Sequence, residues 1–370
     1  MATVGMKLKT RFTELMGVEY PLMQGGMHYV GYAELAAAVS EAGGLGTITA
    51  LTQPNPEALR QEIRKAKGLT KKPLAVNLTL LPMLTPPNYD EYAQVVLDEG
   101  IKIIETAGRN PEKFIKLFKK HGCVVIHKCV AIKHAETAAR MGADMISMDG
   151  YECGGHPGEN DVTNWVLFAK AAKKLRIPYI ASGACADGRQ LAAALALGCE
   201  GMNMGTRWMA TKEAPIKDGI KQALCAANEY DTTLVFTTLS NTERVYKNAC
   251  AEEVRARERK DPGNFAAIAD LVKGAKYRIS FQETGNADDS VWSCGQSIGL
   301  IDDVPTCKEL VQRICTEAVD VLHATHTNKS RSCSLFNIKQ QNQIQRTSNA
   351  PAGAETSASG VIPLRADKAK

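Results

Sequence analysis

The stretch IPYIASGACADGRQLAAALALGCEGMNMGTRWMA, Ile177–Ala210, decides how this chain folds. It holds two short strand-like runs, Tyr179–Ala181 and Gly201–Met204, each passing into a glycine turn with small or hydroxyl residues. Between them Asp187–Leu197 has the spacing of an amphipathic helix, with Asp187 placed to cap it. Strand, helix and strand in so short a compass make a βαβ unit, and such a unit implies a parallel sheet.

Six more runs of the same kind precede it: Pro21–Gln24, Leu45–Ile48, Leu74–Leu78, Ile101–Glu105, Val124–His127 and Met145–Met148. Helical patterns lie between them at Tyr32–Ala42, Pro56–Lys67, Asn110–Lys120, Ile132–Met141 and Val162–Leu175. Eight strands with alternating helices close a (β/α)8 TIM barrel. The competing open, doubly wound sheet calls for GxGxxG after the first strand. Here that strand ends in Gln24-Gly25-Gly26-Met27, with no third glycine opening a helix, so the barrel is expected.

After Thr211 the pattern changes. Helical stretches at Ile216–Asn228, Ala249–Glu258, Phe265–Val272 and Thr306–Ala324 surround a β-like run, Thr232–Thr238. We expect one α/β barrel domain over residues 1–325 with a helical cap subdomain within about 211–290, and the last helix completing the outer ring. Residues 326–370 are polar and without hydrophobic periodicity, which reads as a disordered tail. That tail holds seven Lys/Arg against two Asp/Glu, the whole net charge of +5, so the preceding residues carry 38 of each sign. A neutral core argues against a nucleic-acid surface. No run of about 20 apolar residues predicts a membrane span. Eleven cysteines without CxxC pairs, after an N-terminus lacking a signal-like apolar region, predict reduced thiols in the cytoplasm, with an organelle left open.

The two glycine turns are candidates for phosphate binding. Gly183 and Ala184 follow one strand; Asn203, Met204, Gly205 and Thr206 end the next. Glycine lets backbone approach an anion, and N–H groups at a helix start supply donors. Phosphate sites after strands seven and eight suit a barrel. GYECGGHPG, Gly150–Gly158, puts His156 on a flexible loop after the sixth run, where an imidazole could move a proton. A surface histidine bonded to backbone is an equal reading of those residues alone. His28 and His127 also stand near strand ends. Lys128 follows the fifth run and could face a cofactor or an anion, or be simply salt-bridged. Asn77 closes the third run, and Glu105, on the fourth, is either an acid/base or a partner for Lys128. No HExxH, paired CxxC or GxSxG pattern supports a metal or serine mechanism.

Together these segments resemble the nitronate monooxygenase family, formerly called 2-nitropropane dioxygenases. The resemblance runs from about Thr10 to Ala324. Its motifs are PLMQGGMHYVGYAELAAAVSEAGGLGTI (Pro21–Ile48), AVNLTLLP (Ala75–Pro82), GYECGGHPG, Ile177–Ala210 and VWSCGQSIGLIDDVP (Val291–Pro305). It implies an FMN-dependent barrel oxidising alkyl nitronates, or nitroalkanes, with O2 to a carbonyl compound and nitrite. Gly25, Gly26 and Met27 would line the flavin, Asn77 would contact it, and Gly154 and Gly155 would sit beside it. Gly183, Ala184 and Asn203–Thr206 would grip its phosphate, and His156 would be the catalytic histidine. Lys128 and Gln296 are further cofactor candidates. Asp149 stands where some members carry glutamine, and Ala184-Cys185 where Gly-Ile is common. The expected partners are a small nitronate-like substrate and O2, with no metal, nucleic acid or membrane; a homodimer is allowed. Two alternatives remain: an NAD(P)H-dependent reductase of enoyl-thioesters or quinones on the same barrel, and a flavin- or phosphate-ligand-binding protein without turnover.

Overall fold

A computed structural model describes residues 8–80 and 86–325. Both the tail read as disordered and the end of AVNLTLLP lie outside the described residues.

The chain opens with a six-residue helix, α1 (Arg11–Met16). Thr10 and Thr13 bond reciprocally at its start, and Gly17 ends it at a φ of 68°. Then follow β1 (Leu22–Gln24), α2 (Ala33–Glu41), β2 (Gly46–Thr49), α3 (Pro56–Leu69), β3 (Leu74–Leu80), α4 (Tyr89–Asp98), β4 (Ile103–Gly108), α5 (Glu112–Lys120), β5 (Val124–Cys129), α6 (Ile132–Met141), β6 (Met145–Asp149), α7 (Asn164–Lys174), β7 (Tyr179–Ser182), α8 (Gly188–Ala196) and β8 (Met202–Met204). Local chemistry sets the helix ends. Asn55 caps α3 with Pro56 at its first position, and Asp187 forms a capping box with Gln190 on α8.

All eight strands are parallel, each bonded to its neighbour in sequence, and β1 pairs with β8. The ring closes at β1 and β2 through a bridge from Met23 to Leu45, with Gln24 N–H donating to Leu45 O at 2.9 Å. This is the expected (β/α)8 barrel.

Because strand side chains alternate, every second residue faces the barrel interior. One apolar residue in or just before each of the first seven strands packs at the N-terminal end: Met23, Leu45, Ala75, Ile103, Ile126, Met145 and Ile180. Phe12 and Met16 of α1 close that end from below. Two residues further along the same strands the interior turns polar or bare: Gly25, Thr47, Asn77, Glu105, Lys128, Ser147 and Ser182, joined by Asn203 from β8. A sealed apolar floor thus carries a polar layer facing the C-terminal mouth.

Beyond β8 come α9 (Thr206–Met209), α10 (Asp218–Ala226), the antiparallel pair β9 (Thr232–Val235) and β10 (Glu243–Tyr246), α11 (Ala249–Lys260) and α12 (Gly274–Ile279), which runs into a π-turn at Ser280–Thr284. A second apolar cluster of Val235, Phe236, Val245, Ala251, Val254 and Ile268 holds this region together. The helix expected at Phe265–Val272 is instead one 3-10 turn, Phe265–Ala267, with backbone bonds running to i−3, from Ala267 N–H to Asn264 O and from Ile268 N–H to Phe265 O. A final helix begins at residue 307 and packs on α8, where Glu317 accepts from Gly188 N–H at 2.9 Å. Among the described residues no helix is long and apolar enough to cross a membrane.

Candidate active site

A cavity opens at the C-terminal mouth. Its wall includes Gly25, Gly26 and Met27 after β1, Lys128 of β5, Asp149 of β6, Gly154 and Gly155, Gly183 and Ala184 after β7, and Asn203, Met204, Gly205 and Thr206 at the end of β8. The structure therefore brings together thirteen of the sequence candidates, from five separate turns. Three candidates do not line it. Asn77 sits beneath the wall, Gln296 is tied by its N–H to Glu152 O, and His156 stands one residue beyond Gly155.

Glu105 organises the floor. It is wholly buried and accepts from Gly26 N–H at 2.9 Å, Asn77 Nδ2 at 2.7 Å and Asn203 Nδ2 at 3.2 Å, with Lys128 Nζ 3.7 Å away. Its role is structural. A carboxylate only accepts, so it turns both amide nitrogens inward and fixes where their oxygens point. Asn77 Oδ1 accepts from Thr79 Oγ1 at 2.8 Å; Asn203 Oδ1 is buried without a partner.

Lys128 Nζ also lies 3.9 Å from Asp149 Oδ2, and its side chain remains about a quarter exposed. Burial opposes its charge, but Asp149 and Glu105 outweigh burial and hold its pKa above the ordinary lysine value. Burial raises the Asp149 pKa, against the pull of Lys128 and Ser182. Asp149 Oδ1, like Asn203 Oδ1, is a buried acceptor with no donor. Two unsatisfied acceptors in one wall suit a ligand that presents N–H groups.

The glycines let the turns of the wall pack closely on their neighbours. A Cβ on Gly26 would fall onto Asn77 Cγ, and one on Gly154 would lie 2.7 Å from Gly295 N. After β7 the chain takes two left-handed residues in succession, Gly183 at φ 85° and Ala184 at φ 50°. For alanine that is a strained conformation, of a sort found at ligand clamps.

His156 is clasped by the β9–β10 hairpin. Gly155 and Arg244 exchange two backbone bonds at 3.0 and 2.7 Å, and Glu159 accepts from Thr242 N–H and Oγ1–H. The His156 Nδ1 lies 3.1 Å from Thr242 O. A carbonyl only accepts, so Nδ1 carries the hydrogen and Nε2 is the basic position. Nε2 faces Glu243 Oε2 at 4.0 Å. His127 points away from the cavity onto Thr106 Oγ1, and burial pushes its pKa down to about 4. His28 reaches the rim, against Tyr29 and Tyr277.

Sequence reasoning missed Ser293, Ser297, Met209 and Tyr277, and gave Ser182, Cys153 and Cys185 no role; all of them also line the wall. The alternation that puts Glu105 two residues after Ile103 would have found Ser182 after Ile180. Ser293 and Tyr277 arrive through the cap's tertiary packing and carry no local signal.

The family model for nitronate monooxygenase matches residues 9–317. A Rhodococcus jostii protein, (3aS,4S,5R,7aS)-5-hydroxy-7a-methyl-1-oxo-octahydro-1H-indene-4-carboxyl-CoA dehydrogenase, is 32% identical over 86% of this chain and 98% of its own length. A probable nitronate monooxygenase of Staphylococcus saprophyticus is 26% identical, over 86% of this chain and all of its own. The structure of FabK from Thermotoga maritima superposes with a TM-score of 0.80 at 34% identity, covering 86% of this chain and 99% of that one.

Proposed function

We propose that the chain, which belongs to the nitronate monooxygenase family of flavin-dependent oxidoreductases, binds FMN at the barrel mouth and oxidises alkyl nitronates with O2 to a carbonyl compound and nitrite. The observation that carries the cofactor assignment is the cavity wall itself. It combines bare glycine backbone, two unpartnered buried acceptors, and the left-handed Gly183–Ala184 turn beside Gly205–Thr206.

When bound, FMN would supply the electron transfer between substrate and O2; the protein supplies position and electrostatics. Gly183, Ala184, Gly205 and Thr206 would hold the phosphate. The Thr206 hydroxyl accepts from Gly295 N–H at 3.0 Å, and a hydroxyl that accepts can also donate to an anion. Asp149 and Asn203 would accept from ring N–H groups, and the Lys128 ammonium would stabilise negative charge on the ring. His156 would take a proton from a neutral nitroalkane.

A second reading, reduction of a thioester-conjugated alkene at the expense of NAD(P)H, is favoured by the relatives: two dehydrogenases named for carboxyl-CoA substrates match at 32% and 30% identity. Both readings need an anionic carbon stabilised by a neighbouring oxygen, so one site could serve either. Anaerobic bleaching of the FMN-loaded protein separates them. Under nitronate oxidation, propyl nitronate bleaches the flavin and air restores colour with release of nitrite. Bleaching by NADH alone, with recolouring by crotonyl-CoA, would replace that reading with the second.

A further inference from the structure

We propose that Glu243 and Ser293 form a proton relay joining His156 to the substrate cavity. This rests on the oxidoreductase reading above and adds two residues to its machinery.

His156 is the family-matched base, yet it does not line the cavity, and its basic Nε2 faces Glu243 instead. Glu243 is the second residue in the chain of contacts. Its Oε1 accepts from Ser293 Oγ at 2.6 Å, and Ser293 lines the cavity. The side chain is about one-sixth exposed, so its charge is weakly screened. The same carboxylate bears on Tyr277, another cavity residue, whose phenol is held protonated by burial first and then by Glu243. Glu243 thus faces the base on one side and accepts from a hydroxyl group of the cavity wall on the other.

The remaining charged groups around His156 are engaged elsewhere. Glu159 on its own loop is committed to Thr242, and the Arg244 guanidinium donates to Tyr151 O and Thr232 Oγ1. Glu243 is therefore the charge that Nε2 meets.

The proton leaves the substrate α-carbon for Ser293 Oγ while Ser293 passes its own proton to Glu243 Oε1. The carboxylic acid then turns about its Cγ–Cδ bond and gives that same proton to His156 Nε2. The electron pair of the broken C–H bond stays on the substrate, giving the nitronate, so nothing is oxidised or reduced in this step. The Glu243 carboxylate is regenerated and pairs with the imidazolium.

The test compares Glu243→Gln, Ser293→Ala and Ser293→Thr, each loaded with FMN to equal absorbance, on nitroethane and on preformed ethyl nitronate. The relay predicts that the first two lose about 10–100-fold on nitroethane and far less on the nitronate. Ser293→Thr, which keeps the hydroxyl, restores most of the loss. Equal losses on both substrates, or undiminished nitroethane turnover in Glu243→Gln and Ser293→Ala, overturn it. A wild-type protein inert to both substrates would sink the nitronate reading instead. The relay is then decided by exchange of the nitroethane α-hydrogens in deuterium oxide, followed by NMR: the wild type catalyses it and Glu243→Gln and Ser293→Ala lose about 10–100-fold, whereas no exchange in the wild type or undiminished exchange in either variant overturns it.

Discussion

Replacing Lys128 by methionine tests how the cavity floor is held together. Its ammonium lies 3.7 Å from Glu105 and 3.9 Å from Asp149, two buried carboxylates. At an effective dielectric constant near 20 each contact is worth about 4 kcal/mol of attraction. Against that stands the cost of burying the ammonium, which the methionine removes. Deleting one member of such a group typically costs about 3–5 kcal/mol, because the opposite charges stay buried and uncompensated. Urea unfolding of Lys128→Met at pH 7 should show a loss in that range. The pH dependence follows from Asp149, whose folded pKa already stands above its unfolded value. A carboxyl raised in the folded state binds its proton there first, so its penalty is present above the folded pKa and relieved as pH falls through it. The deficit should therefore narrow as the pH falls. Adding Asp149→Asn to Lys128→Met should recover about 2 kcal/mol, roughly the Asp149 share. A deficit under about 1 kcal/mol, or one that neither pH nor Asp149→Asn changes, would refute this account of the floor.

Three further outcomes are expected. Gly26→Ala drives a Cβ onto Asn77 and breaks its bond to Glu105; FMN affinity should fall at least tenfold while far-ultraviolet circular dichroism is retained. Ala184→Gly relieves a left-handed alanine and should stabilise the protein by up to about 1 kcal/mol in urea unfolding, with FMN binding preserved. Phe12→Ala opens the apolar floor beneath Met23, Ile103 and Ile126 and should cost about 3–5 kcal/mol, without altering the spectrum of bound flavin.

Much of the barrel was legible in the sequence. Val124–His127 and Met145–Met148 each fall within a residue or two of their strands, because buried parallel strands read as short apolar runs bounded by turns. Ile132–Met141 matches its helix end for end. Two helices of the barrel went unread, as did the short α9 and α12 beyond it. Tyr89–Asp98 carries its buried face on only Tyr92, Ala93, Val95 and Val96, and Arg11–Met16 is too short to show a period.

The site divides in the same way. Gly25–Met27, Lys128, Gly183 and Asn203–Thr206 meet because each ends or follows a strand, and a closed barrel brings strand ends together. His156 is displaced from the cavity by contacts that no local pattern announces. Its loop is bonded to Arg244, in the strand Glu243–Tyr246, which has too little alternation to be recognised beside Thr232–Val235. Ser293 and Tyr277 depend on how the cap folds back over the mouth, a long-range property of the chain.

The central claim is that the turns after β7 and β8 grip the phosphate of FMN. Titrating the flavin-free protein with FMN and with riboflavin, which share the ring and differ in the phosphate, tests it most directly. We predict that FMN binds at least about 100-fold more tightly, as expected for an anion held by several backbone and hydroxyl donors. Equal affinity for the two, or no binding of either, would contradict it.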